Sequence, residues 1–281
     1  MTDMTMREIV ATTPGMPATD GDGVRMTRII GTPELDLLDP FLLLDAFESD
    51  QPQDYIGGFP SHPHRGFETV TYLLAGRMRP KDDAGQEGVF EPGGVQWMTA
   101  GKGIVHSEMP EQENGLLMGF QLWVNLPARA KMTAPGYQEF SPSDTPLEQH
   151  DNGTRIRVIA GQTAAGTVGA VSNEYVNPTY LDVTLPAGES FSQEVGAGDT
   201  TFLYVIEGSL KAGTAGTAVD ARTMGIFGPG DTVQVTAGET ARFLLISAQP
   251  LNEPVARGGP FVMNTKEEII QAFEDYRHNR F

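Results

Sequence analysis

The 281-residue chain contains no cysteine. Disulfide cross-links and thiolate metal sites are thereby excluded, so any metal is held by nitrogen and oxygen donors, and a reducing, cytoplasmic compartment is expected. Cationic side chains are scarce: 19 Lys and Arg stand against 37 Asp and Glu, a formal charge of −18. A field of that sign repels phosphate backbones and anionic lipid surfaces, which argues against direct nucleic-acid binding. No uncharged apolar stretch reaches the length of a membrane span, and the opening residues MTDMTMREIV lack the cationic start and apolar core of an export signal. Helical periodicity is rare, and histidine is rarer still, with five in the chain.

What the chain does have is glycine (33) and proline (20), punctuating many short apolar runs in the manner of an all-β protein. ETVTYLLAG, VQWMTAG and LLMGFQLWVNL occur in the first half, and RIRVIAG, TYLDVTL, TFLYVIEGSLKAG, DTVQVTAG and ARFLLISAQ in the second. Between Pro127 and His150 the text turns proline-rich and loses alternation, which reads as a connection between two domains, 1–135 and 150–281. The halves also match in letters: Pro92–Gly101 and Pro229–Gly238 both run from PG to TAG, each preceded by an apolar strand ending in glycine, as a duplicated barrel predicts. One helix is predicted, at the end, where Thr265 and Glu268 have capping-box spacing and Ile269, Ile270, Phe273 and Tyr276 form an apolar stripe.

Three of the five histidines fall in two phrases, His62-Pro63-His64 and His106-Ser107-Glu108. Donors at i and i+2 on a β-strand point to the same face, so two neighbouring strands bring four donors to one place. Pro63 supports the strand reading, because the residue before a proline is pushed into extended conformations and the missing N–H suits an edge. Three imidazoles and a carboxylate form a mixed N/O set that accommodates ferrous iron, and equally manganese, nickel, copper or zinc. The second half has no histidine between His150 and His278, and counting from the shared letters puts Glu194, Gly196, Phe243 and Leu245 at the corresponding places, so one metal per chain is expected.

GFPSHPHRGFETVTYLL and PGGVQWMTAGKGIVHSEMP, with the flanking LDPFLLLDAF, FQLWVNLPARAKM and GPFVMNTKEEIIQAF, resemble the pirin family over nearly the whole chain. The resemblance implies two cupin barrels packed face to face (a bicupin) with a short C-terminal helix, and a single divalent transition metal, iron(II) first, on His62, His64, His106 and Glu108 of the N-terminal barrel. It further implies quercetin 2,3-dioxygenase activity on a flavonol-like aromatic substrate with dioxygen, Glu108 serving as catalytic proton acceptor. The alternative is an iron- or redox-responsive regulator that binds a protein partner, and a monomer is expected in either case. The sequence departs from the family at Gly94, where Asp is common, and at Lys81-Asp82-Asp83, which bears on the pocket mouth and substrate preference.

Around these phrases, Glu68 is placed by strand parity either to orient a ligand imidazole or to pair with Arg65. Phe67, Trp97 and Met98 read as packing residues, Lys102 as a solvated turn, and His150 and His278 as surface histidines.

Overall fold

The computed structural model describes residues 5–82, 85 and 87–281; Asp83 and the first four residues of the opening segment lie outside them. Among the described residues there are 23 strands and one α-helix, Lys266–Arg277, so the chain is all-β with a short C-terminal helix as expected. Thr265 caps that helix, accepting from the Glu268 amide while the Glu268 side chain accepts from the Thr265 amide. No helix is long and apolar enough to cross a membrane.

Two compact units are present, and they exchange the chain's ends relative to a simple division between 135 and 150. One comprises Ser143–Pro250 with Met1–Gly15, of which residues 5–15 are described. The other comprises Met16–Pro142 with Leu251–Phe281, so the C-terminal helix belongs with the first barrel. Pairing and apolar burial account for the exchange. Ile9–Thr13 adds an antiparallel strand to the Thr223–Phe227 strand, covering an otherwise open edge. Phe261, Met263, Ile269 and Ala272 bury one another, while the Val262 amide donates to the Arg65 carbonyl.

Each unit has the same plan, a seven-stranded antiparallel sheet and a smaller one. In the first barrel the large sheet runs, in spatial order, Gly136–Phe140, Val95–Thr99, Phe67–Ala75, Leu117–Asn125, Phe41–Ser49, Val24–Ile30, Met16–Asp20. The small sheet is Phe59–His64, Ile104–Pro110 and Met78–Asp82. In the second barrel Thr223–Phe227 stands where Val95–Thr99 stands in the first, and Thr232–Ala237 where Ile104–Pro110 stands. The PG-to-TAG match therefore joins strands that occupy different places in the two sheets. Turn chemistry recurs at many sheet corners, and letters alone do not tell one corner from another.

With the strands matched by topology, the counterparts of the two histidine-bearing strands are Ser190–Glu194 and Thr232–Ala237, so the letter count is corrected: Gly196, Phe243 and Leu245 lie off both strands, Glu194 is exposed, and the buried residues there include Phe191, Gln193, Val233 and Val235. Phe191, Val233 and Val235 belong to a continuous apolar core with Leu181, Val183, Leu203, Val205 and Phe243. The second barrel is filled with hydrocarbon side chains; the first is lined quite differently.

Candidate metal centre

Phe59–His64 is an edge strand of the small sheet, a place that tolerates Pro63, which has no N–H to give a further neighbour. It pairs antiparallel with Ile104–Pro110, His62 being the Cα partner of His106. Alternation then turns His62, His64 and His106 toward one point, with ring centroids 4.5–5.1 Å apart. One ring nitrogen from each lies within 4.8 Å of the others, and the His62 and His64 Nε2 atoms are 3.0 Å apart. Among the described residues this is the one such group of three or more His, Cys, Asp or Glu. Two residues beyond the strand, Gly66 has a φ of +89° and approaches the Val262 carbonyl so closely that no Cβ fits.

His64, His106 and Glu108 are 3%, 2% and 6% exposed, and burial dominates their ionisation. It lowers His106 to about 3, with His62 adding repulsion, and lowers His64 well below the ordinary imidazole range, with His106 and His62 contributing. Both rings are neutral at physiological pH and offer lone pairs. Burial raises Glu108, while His62 and a hydrogen bond from Thr71 act the other way.

Glu108 shares the cavity but stands outside the tight group of three. The strand register accounts for this: a bulge between Phe59 and His62 sets Glu108 opposite Phe59. Its Oε1 lies 3.0 Å from Thr71 Oγ1, which is itself 2.6 Å from the Gln121 amide oxygen. The donor chemistry fits a divalent transition metal. Both His106 ring nitrogens are buried without a protein hydrogen-bond partner, and neutral imidazole nitrogens are what such an ion replaces water with.

The cavity above the imidazoles holds about 720 Å³. Trp123, Phe47, Phe59, Met26 and Leu43 give it apolar walls. Phe67 packs beside Trp123, its centroid 4.4 Å away, and edge-on to His64 at 5.1 Å. One rung of Cα partners crosses six strands of the large sheet: Glu139, Gln96, Thr71, Gln121, Asp45, Arg28. Arg28 closes it by donating to both Asp45 oxygens at 2.9 and 2.8 Å, and Gln121, Asp45 and Arg28 all line the cavity.

Sequence reading missed this rung, since its members come from six separate strands and no local spacing links them. Glu68 accepts from Thr99 Oγ1 at 2.8 Å, and Arg65 pairs with Asp275 at 2.8 Å. The break at Gly66 puts Glu68 on another strand, so parity counted from His64 does not reach it. Trp97 and Met98 are buried, Lys102 is exposed, and His150 and His278 lie at the surface beside Glu148 and the Glu274 carbonyl.

Paired sheets in each unit and a histidine cluster inside one barrel define a two-cupin protein with one candidate metal centre. The pirin family profile matches residues 23–124, and that of the pirin C-terminal cupin domain matches residues 180–281. A pirin-like protein of Caulobacter vibrioides is 54% identical over 99% of this chain and 100% of its own length. Human pirin is 46% identical over 92% of this chain and 88% of its own. The crystal structure of a quercetin 2,3-dioxygenase from Acinetobacter baumannii superposes with a TM-score of 0.90 at 35% identity, covering 98% of both chains. The chain belongs to the pirin family.

Proposed function

We propose that this chain is a metal-dependent oxygenase of the quercetin 2,3-dioxygenase type, with one divalent ion, iron(II) first, on His62, His64, His106 and Glu108. The observation that carries the reading is the meeting of three imidazoles, two of them deeply buried and neutral, at a cavity with aromatic walls and a polar rung. Such a cavity suits a flat aromatic molecule bearing several hydroxyl groups. Likeness to the Acinetobacter baumannii enzyme supports the same chemistry.

When bound, the ion supplies Lewis acidity toward a chelating oxygen pair of the substrate and an open position for a second ligand. The protein does the rest. Trp123, Phe47 and Phe59 hold the ring plane and keep water away from it. Gln121, Asp45 and Arg28 present donors and acceptors to hydroxyl groups at the far edge. Glu108 accepts the proton of a substrate hydroxyl that enters the centre.

The test is aerobic turnover of quercetin by protein loaded with iron(II), with elemental analysis of the same sample. Wild type is expected to bleach the flavonol absorbance and release carbon monoxide, with Glu108→Gln lowering the rate by about 100-fold, within the usual range for loss of a general base. Fully loaded wild-type protein that leaves quercetin intact would falsify the oxygenase reading.

A further inference from the structure

Thr71 Oγ1 has one hydrogen and two close oxygen neighbours, Glu108 Oε1 at 3.0 Å and the Gln121 amide oxygen at 2.6 Å. A hydroxyl donates to one acceptor at a time. An ionised carboxylate has no hydrogen to return, and a metal-binding carboxylate is ionised, so the hydroxyl hydrogen goes to Glu108. Thr71 must then receive a hydrogen itself. Half a turn of the Gln121 carboxamide puts Nε2 where its oxygen lies, with the shape of the contact unchanged.

We propose that Gln121 and Thr71 are a directional pair of positioning residues: the amide donates to the hydroxyl, the hydroxyl donates to Glu108 Oε1, and the other carboxylate oxygen is left for the metal. The inference rests on the reading of Glu108 as part of the metal centre and deepens it. Neighbours on the rung leave Gln121 as the hydrogen source. Gln96, the Cα partner of Thr71 on its other side, donates its amide to Glu139. Asp45, next beyond Gln121, accepts from Arg28 through both oxygens and has no hydrogen to offer while ionised. Thr71 and Gln121 are themselves Cα partners on adjacent strands, so the sheet fixes their separation whatever occupies the cavity. Thr71 is buried, which removes bulk water as a substitute donor.

Zinc(II) affinity, read by competition with a coloured chelator at about pH 8, tests the pair without reference to turnover. Thr71→Val keeps the volume and removes the hydroxyl; its dissociation constant is expected to rise about 10-fold, the lower end for loss of a group that orients a metal ligand. Thr71→Ser restores tight binding. Gln121→Glu keeps the Thr71 hydroxyl but draws its hydrogen away from Glu108, so binding weakens as in Thr71→Val, although the added negative charge alone would tighten it. The directional pair is overturned if Thr71→Val binds zinc like wild type, if Thr71→Ser is as weak as the valine variant, or if Gln121→Glu binds as tightly as wild type or tighter. Glu108→Gln in the same titration separates the two levels. If it leaves affinity untouched, Glu108 lies outside the metal centre and the reading beneath the pair fails; if it weakens binding while Thr71→Val does not, the pair alone fails.

Discussion

His106 is the residue on which the centre turns, because both its ring nitrogens are shut away from water without a protein partner. In the metal-free protein its folded pKa of about 3 lies below the 6.5 of an exposed imidazole, so the unfolded chain takes up the proton first as pH falls. The stabilisation from keeping this ring neutral is full above about pH 6.5 and is lost progressively as pH falls toward 3; His64 acts in the same direction. Thermal midpoints of metal-free wild type are accordingly expected to drop more steeply across that window than those of His106→Leu. Parallel curves for the two proteins would show that the ring is not held neutral. The residues whose meeting could be read from the sequence were those two positions apart on one strand: His62 with His64, and His106 with Glu108. Thr71, Gln121 and the Arg28–Asp45 pair could not be read so, because their meeting depends on register across a sheet.

At the scale of elements, the edge strand that carries His62 and His64 is held from behind. Lys131 is almost fully buried and donates to the Gly66 carbonyl at 2.8 Å, the Asn125 side-chain oxygen at 2.7 Å and the Val262 carbonyl at 3.0 Å. Desolvation lowers its pKa to about 8. Lys131→Met leaves three buried acceptors without their charged donor and is expected to cost about 3 kcal/mol in chemical denaturation. A loss below about 1 kcal/mol would mean that water reaches those acceptors. Arg65 reinforces the same junction through Asp275 and through the Phe281 ring, 4.4 Å from its guanidinium carbon. The helix itself was visible in sequence from its capping box and apolar stripe, whereas its partner was not: helical periodicity shows which face is apolar, not which barrel that face will cover.

For the whole molecule, one architecture occurs twice with opposite interiors. Burying Phe191, Leu203, Val205, Val233, Val235 and Phe243 fills the second barrel, while the first keeps a polar rung and three imidazoles beside an open cavity. Titration with zinc(II) or iron(II) is expected to saturate near one ion per chain, and ion at a hundredfold excess over its dissociation constant adds about 2.7 kcal/mol to the stability of the unit that binds it. Two ions per chain would contradict the apolar filling of the second barrel. Duplication was legible in the recurring strand and turn vocabulary, but the particular letters that matched belonged to strands at different places in the two sheets.

Gly259 and Pro260, which wall the cavity, reach the first barrel from a part of the chain made after the entire second barrel. On the ribosome, therefore, the earliest barrel to be synthesised stays incomplete while the later one emerges and has every segment it needs to fold. Order of synthesis and order of completion run in opposite directions, and the cavity gains its last wall only in chains translated past Pro260.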